Sequence, residues 1–381
     1  MSRPCRHQAL YSGQVSKHCF NLNLGRSSLG LVATLTDAYG RPLNNLRIAV
    51  TDECNYRCFF CHIEGDPIGS PRPIGLGRHL MTPHDYYIVA RAARALGIGS
   101  FKVTGGEPLV RRDVVEVVRS IKEGAGSAAD ISMTTNGYLL AVYARALREA
   151  GLERVNVSLH SLNRERYKAI TGVDGLDAVL KGLDEALRVG LKVKVNITVT
   201  RINKDDVWDV ISYASSRGFR VQLIELQPVN EGLKVFKQQH VSLAEIERRL
   251  LSMGAKVRLR DLHNRPIYVL PDGTEVEVVK PYDNPAFCAG CTRVRLLADG
   301  TLTPCINYRG PGVNLLRRIR GLPEDEAVEE AKRALLEVNS LRKPYYMWRL
   351  DMDNGIIKPT RLRLSLPSRN IGYSLITGSR V

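Results

Sequence analysis

Cys54, Cys58 and Cys61 stand in the run TDECNYRCFFCHIEG. The C-x3-C-x2-C spacing, on a short loop, lets three thiolates converge on one metal centre. A four-iron cubane usually takes four Cys ligands, so three leave one iron free to bind something else. An open position separates catalytic from structural zinc in the same way. Three other readings apply to the run. Cys58-Phe-Phe-Cys61-His62 also spells the haem-attachment pattern, but that leaves Cys54 unexplained and implies export, for which no signal peptide is read. Structural zinc takes two ligand pairs, and here there is one triplet. Three buried free thiols within eight residues of a polar loop fit a core poorly.

A second triplet follows in FCAGCTRVRLLADGTLTPC, where Cys288, Cys291 and Cys305 are spaced C-x2-C-x13-C. Alone it would pass for an incomplete zinc ribbon. Two incomplete cages in one chain read as two iron–sulfur sites, each with a vacancy for a small molecule. Six of the eight cysteines lie in these triplets, which argues against a disulfide scaffold and for a reducing compartment. Cys5 and Cys19 are unassigned thiols.

The rest of the chain reads as repeated strand–helix units. Strands are expected at Leu46–Thr51, Ser100–Thr104, Ile131–Thr134, Arg154–Leu159, Val193–Val199 and Arg220–Glu225. Helices are expected at Pro83–Leu96, Arg111–Glu123, Tyr138–Ala150, Leu176–Val189 and Asp205–Arg217. On the first helix Tyr86, Val89 and Ala93 share a face. Short apolar strands alternating with amphipathic helices imply a parallel sheet. In such folds the active site gathers at the carboxyl ends of the strands. Cys54 follows the first strand, Gly105-Gly106-Glu107 the second, Thr134 and Asn136 the third, Ser158 the fourth and Glu225 the sixth. The adjacent glycines of TGGEP allow positive φ and let a ligand approach the backbone. Alternation along CTRVR aims Arg293 and Arg295 at the same side, and Arg forks suit phosphate oxygens.

At 381 residues and 44% apolar content, one large domain or two smaller ones fit the length. No stretch approaches eighteen consecutive apolar residues, so no membrane span is expected. The formal net charge of +16 suggests a polyanionic partner. Nucleic acid and a nucleoside triphosphate are both candidates. No homeodomain, zinc-finger or RNP pattern stands in the chain, and the scattered charge by itself supports only a general bias toward anions.

The first triplet resembles that of the radical S-adenosylmethionine enzymes, and the pair of triplets resembles the GTP 3′,8-cyclase family of molybdenum-cofactor biosynthesis. Asn45–Cys54, Lys102–Asp113, Thr134–Gly137, Val155–Leu162 and Leu191–Val199 are similar to the same family, in family order, and the match runs from about Asp37 to about Tyr346. The resemblance implies an α/β fold: an incomplete (β/α)6 TIM-type barrel over 37–235, with a region at 236–346 that covers the open side and carries a second iron–sulfur cluster. It implies two [4Fe-4S] clusters, one on each triplet, with S-adenosylmethionine on the first. Phe60, Gly106, Ser158 and Gln227 are the expected S-adenosylmethionine contacts. Arg47, Lys102, Thr134, Lys194, Arg293 and Arg295 are the expected GTP contacts. The implied partners are an electron donor such as ferredoxin or flavodoxin and the next enzyme of the pathway, cyclic pyranopterin monophosphate synthase. A homodimer and a cytoplasmic location complete the expectation. A peptide-modifying radical enzyme with an auxiliary cluster is the alternative, though such enzymes usually carry a longer cysteine-rich segment.

The sequence departs from the family pattern in places. Gln222 stands where bacterial relatives often carry Arg, Gln227 where they often carry Met, and Lys102 where many carry Arg. The chain ends TGSRV rather than in a Gly-Gly tail. Residues 1–36 form an extension without acidic residues, akin in composition to a transit peptide. Residues 347–381 form another, in which TRLRLSL suggests an extra strand.

Overall fold

The computed structural model describes residues 35–64, 81–308, 310–344, 348–353 and 356–361. The extension up to residue 34, with Cys5 and Cys19, lies outside the described residues, as does the chain from 362 onward. Six strand–helix units come first: β1 (Asn45–Ala49), α1 (Pro83–Ala95), β2 (Ser100–Thr104), α2 (Val114–Ala125), β3 (Asp130–Thr135), α3 (Leu140–Glu149), β4 (Arg154–Ser158), α4 (Arg164–Thr171), α5 (Leu176–Arg188), β5 (Lys192–Val199), α6 (Val207–Ser216) and β6 (Arg220–Glu225). They are followed by α7 (Glu231–Gln239), α8 (Ala244–Ser252), β7 (Lys256–Arg260), β8 (Arg265–Val269), β9 (Glu275–Val279), α9 (Pro285–Ala289), β10 (Arg293–Leu296), β11 (Thr301–Thr303), β12 (Val313–Asn314), α10 (Leu315–Ile319) and α11 (Glu324–Ser340). Last comes an antiparallel pair, β13 (Trp348–Asp353) and β14 (Ile356–Arg361), which takes in the first two residues of TRLRLSL.

Strands β1 to β6 pair in parallel and in chain order. The later segment extends both edges of this array. Strand β10 pairs in parallel with β1, and β9 in parallel with β6. The six-unit array of the sequence is therefore the middle of an eight-strand parallel run. Antiparallel strands cap it, β11 and β12 beyond β10, β8 and β7 beyond β9. Strands β9 and β10 are not paired with each other, so the barrel stays open there.

The strands read NLRIA, SFKVT, DISMTT, RVNVS, KVKVNITV, RVQLIE and, for β10, RVRL. Successive strand residues face opposite sides, so each is apolar on one face and polar on the other. Leu46, Ile48, Phe101, Val103, Ile131, Met133, Val155, Val157, Val195, Ile197, Val221 and Leu223 are fully buried in the apolar core. Tyr86, Val89 and Ala93 of α1 are buried in the same core. Full β/α barrels usually fill the interior with branched apolar side chains. Here the opposite face carries Arg47, Lys102, Thr134, Asn156, Lys194, Gln222, Arg293 and Arg295, and all eight line one cavity.

Local signals set the element ends. Thr82 caps α1 in a reciprocal capping box with Asp85, and Pro83 occupies the first turn. Asn163 caps α4, and Gly172 ends it in the left-handed conformation.

Candidate active site at the open end of the barrel

A single cavity of ≈ 810 Å³ runs over the carboxyl ends of the strands and down their polar faces. That volume lies within the range of small-molecule sites. Both cysteine triplets open onto it. Cys54, Cys58 and Cys61 sit on the loop after β1, and Cys288, Cys291 and Cys305 on the segment around α9 and after β11. Every residue the sequence singled out for S-adenosylmethionine or GTP lines the same cavity: Phe60, Gly106, Ser158 and Gln227, and Arg47, Lys102, Thr134, Lys194, Arg293 and Arg295.

The thiols suit cluster ligation. Backbone N–H groups of Tyr56, Ile63 and Asn307 donate to the Sγ atoms of Cys54, Cys61 and Cys305 at 3.4, 3.4 and 3.5 Å. Such donors stabilise thiolate charge. Burial pushes Cys54 up to about 12 and raises Cys58, Cys61 and Cys305 as well, so as free groups these thiols hold their protons. A bound metal inverts that preference, because a coordinating thiol is deprotonated outright. Among the described residues no three His, Cys, Asp or Glu side chains gather tightly enough for a single ion. Thiolates at separate corners of a cubane stand further apart than the ligands of a single ion.

The first cysteine loop is held from three sides. Arg57 and Phe59 donate from their backbone N–H groups to the carbonyls of Thr171 and Ile170 at the end of α4, at 2.9 and 3.3 Å. Glu231 N–H donates to the Cys61 carbonyl at 3.1 Å, and Asn230 Nδ2 to the His62 carbonyl at 2.6 Å. Phe60 packs edge-on against His160, ring centres 5.0 Å apart.

The glycines of TGGEP act differently from expectation. Neither Gly105 nor Gly106 has positive φ. A Cβ on Gly105 would lie 2.6 Å from the Thr51 carbonyl oxygen, and one on Gly106 would lie 2.1 Å from that of Glu53. The chain leaving β1 toward Cys54 presses directly on this turn, so close backbone approach is what requires glycine. Gly106 and Glu107 N–H donate to the carbonyls of Thr51 and Glu53 at 2.9 and 2.7 Å. Glu107 is structural. Its carboxylate accepts from Leu109 N–H, Thr135 Oγ1 and Asn136 N–H at 3.0, 2.7 and 2.6 Å, fastening the end of β2 to the end of β3. Burial pushes it up to about 7 against the pull of these bonds.

The cations all have partners. Glu64 is buried and pairs with Arg47, Arg295 and His62. The two arginines outweigh its burial and hold its carboxyl well below the usual range. Arg293 Nε donates to Asn45 Oδ1 at 3.0 Å, and Lys102 Nζ to Asn156 Oδ1 at 2.8 Å. Burial, with Arg154, Arg47, Lys194 and Arg293 nearby, lowers Lys102 well below the ordinary lysine value. Lys194 pairs with Glu277 on β9. Glu277 also takes Arg260 and Arg265 at 3.1 and 3.0 Å. Gln222 is the direct strand neighbour of Glu277. Sequence reasoning missed Arg260 and Arg265, although both stand in the basic alternation around the β7–β8 corner.

A second set of missed residues grips the other cysteine loop. Arg41 Nη1 donates to the Cys288 carbonyl at 3.0 Å, and Arg342 Nη2 to that of Cys291. Buried Asp37 joins the two arginines, pairing with Arg41 at 2.8 Å and Arg342 at 3.4 Å.

Comparison with known proteins fits this geometry. Residues 48–214 match the Radical SAM superfamily model, and residues 219–348 match the Molybdenum Cofactor Synthesis C model. A "Probable GTP 3′,8-cyclase" of Aeropyrum pernix is 44% identical over 340 residues, 88% of this chain and 95% of that one. The chain belongs to the GTP 3′,8-cyclase family. Further members are similar at 43% identity in Saccharolobus islandicus, covering 83% of this chain and all of that one, and at 40% in Metallosphaera sedula, covering 84% and 99%. Among solved structures, Streptococcus suis SuiB bound to S-adenosylmethionine has a TM-score of 0.57 at 17% identity, over 72% of this chain and 64% of that one. At that identity the likeness is one of fold. No helix among the described residues is long and apolar enough to cross a membrane.

Proposed function

We propose that the chain converts GTP to (8S)-3′,8-cyclo-7,8-dihydroguanosine 5′-triphosphate, the first step of molybdenum-cofactor biosynthesis. One observation carries the reading. Two three-cysteine sites and a collar of cations share one cavity in a chain 44% identical to a curated cyclase. A peptide-modifying role is not favoured by that identity.

Cys54, Cys58 and Cys61 would hold one [4Fe-4S] cluster, and Cys288, Cys291 and Cys305 a second. When bound, the first cluster and S-adenosylmethionine would supply the one-electron chemistry that takes a hydrogen atom from C3′ of GTP so that C3′ bonds to C8, and one further electron and a proton delivered to the cyclised nucleotide complete the dihydro product. The residues around them bind and orient. The peptide groups of the Gly105–Gly106 turn would take the methionyl amine, Ser158 and Gln227 polar groups of the same ligand, and Phe60 its adenine. Arg47, Lys102, Lys194, Arg293 and Arg295 hold the triphosphate, with Thr134 beside them. Arg–phosphate forks give geometric precision as well as charge. Orientation matters here because a reacting atom a single ångström out of place costs rate steeply.

The barrel at 37–235 supplies the first site and the region at 236–346 the second. The two electrons, one to cleave S-adenosylmethionine and one to reduce the cyclised nucleotide, come from a low-potential carrier of the ferredoxin or flavodoxin class. The product passes to cyclic pyranopterin monophosphate synthase. The work is done in a reducing, cytoplasmic compartment.

The test is anaerobic turnover of reconstituted protein with GTP, S-adenosylmethionine and dithionite. The expected result is one 5′-deoxyadenosine per cyclised nucleotide by mass spectrometry. Cleavage of S-adenosylmethionine with no change to GTP under any condition sinks the reading.

A further inference from the structure

The parallel array fails to close between β9 and β10, and the connection that carries Cys288 and Cys291 crosses that opening. On the β10 side stand Arg293 and Arg295. On the β9 side the β7–β8 corner places Arg260 and Arg265, with Lys194 from β5 beside them. We propose that Arg260 and Arg265 form, with Lys194, an anion subsite on the β9 side of this seam, which binds the terminal phosphates of a nucleoside triphosphate and bridges them toward Arg293 and Arg295. This rests on the reading that the cavity takes GTP, and extends it to residues outside the expected contact set.

Four observations carry the assignment. First, Lys194, Arg260 and Arg265 all line the cavity, whereas Glu277, which pairs with all three, does not. The carboxylate stands behind the cations and fixes them from the rear. One carboxylate shared among three cations leaves two positive charges uncompensated. Second, Arg265 is nearly buried, and its Nε lacks a hydrogen-bond partner. Buried polar groups normally find partners, so this guanidinium, which lines the cavity, keeps a donor that the fold itself leaves unused. Third, Arg265 Nη2 lies 2.6 Å from His263 Nδ1, which therefore accepts. Burial, and after it Arg265, Arg293, Arg295 and Arg260, lower the imidazole well below its ordinary value, in keeping with an accepting Nδ1. Fourth, the corner is tied to the second cysteine loop. His263 stacks on Phe287 at 3.9 Å, Arg265 lies over the same ring at 5.5 Å, and His263 N–H donates to the Gly290 carbonyl at 2.6 Å. Phe287 precedes Cys288, so a ligand at that triplet and its phosphates at the corner share one rigid support.

A purely structural ion-pair cluster predicts no dependence on phosphate number. The subsite predicts a strong one. The test uses anaerobic protein with intact iron–sulfur absorbance and measures equilibrium binding of GTP, GMP and inorganic tripolyphosphate. Arg260 is chosen because about a third of its side chain is exposed (31%), so Arg260→Gln leaves the fold standing. The expected result is a loss of about tenfold or more for GTP and tripolyphosphate, the usual scale for a bond to a charged group. GMP should change by less than about twofold, and Arg260→Lys should recover part of the loss, because it keeps the charge without the fork. Equal losses for GTP and GMP, or unchanged GTP binding, overturn the subsite. If the parent binds tripolyphosphate through Arg260 but not GTP, the subsite stands and the nucleotide reading falls. If the parent binds neither, the subsite falls.

Discussion

Arg41 donates from Nη1 to the carbonyl oxygen of Cys288 at 3.0 Å, across 247 residues of sequence. Arg342 makes the matching bond to Cys291, and Asp37 holds both guanidinium groups from behind. Segments from both sides of the barrel thus fix two carbonyls of the second cysteine loop. Bonds of this kind orient a metal's ligands and are part of the site.

Arg342→Met should therefore act on the second site alone. It removes the more distant of the two arginines that pair with buried Asp37 and leaves Arg41 in place, so the cost stays below the roughly 3–5 kcal/mol of stranding a buried charge. Iron per chain is expected to fall toward one cluster, with the first cluster's spectroscopic signature retained. Arg342→Lys should restore part of the iron. Full iron content in Arg342→Met would assign Arg342 to the fold and not to the loop.

Cluster stoichiometry gives a direct check on the two triplets. Anaerobically reconstituted protein should hold about eight irons per chain, four on each three-thiolate cage. Changing Cys54, Cys58 and Cys61 to Ala should halve that and end S-adenosylmethionine cleavage. Changing Cys288, Cys291 and Cys305 to Ala should halve it too, yet leave uncoupled cleavage measurable. Reconstituted protein that takes up only zinc contradicts both assignments.

Gly106→Ala tests the turn after β2. Its Cβ would meet the Glu53 carbonyl at 2.1 Å, and that carbonyl already accepts from Glu107. Backbone must move, and overpacking of this kind costs about 1–3 kcal/mol or more. The displaced segment leads straight into Cys54. The variant is expected to melt earlier than the parent and to lose S-adenosylmethionine binding together with the first cluster. Loss of binding with unchanged melting would give Gly106 a ligand role only.

Much of the barrel was legible because its strands are short, regular and separated by amphipathic helices. Ser100–Thr104 and Arg220–Glu225 fall where the sequence put them. Helix α4 was missed because RERYKAIT is short and charged, with little beyond Tyr167 and Ile170 to mark a buried face. The strands were read as apolar runs, yet RVNVS and KVKVNITV alternate strictly. That period-two signal already announced a polar interior facing a ligand. Cation contacts were legible one residue at a time. Their carboxylate partners were not, because Glu64 meets Arg295 across 231 residues and Glu277 meets Lys194 across 83. Positive φ, one of the two reasons for singling out the glycine pair, is absent from both residues, and the structure adds one the sequence could not show, the contact with the chain leaving β1.

Lys194 offers a prediction in which binding and stability respond to pH with opposite signs. Burial outweighs its share of Glu277 and brings the amine down from 10.5 to about 8. Glu277, facing three cations, stays ionised throughout this range, its carboxyl held well below the usual value. Between about pH 8 and 10.5 the folded protein holds fewer protons than the unfolded chain, so this group makes stability rise with pH across that window. A triphosphate needs the ammonium form. GTP affinity should therefore fall above about pH 8, by at most about tenfold per pH unit, and binding near pH 8 should take up a fraction of a proton. Calorimetry in buffers of different ionisation enthalpy measures that uptake. Lys194→Arg should flatten the affinity profile, since guanidinium stays charged. A parent profile already flat from pH 7 to about 9.5 would mean that Lys194 carries no phosphate and serves only to neutralise Glu277.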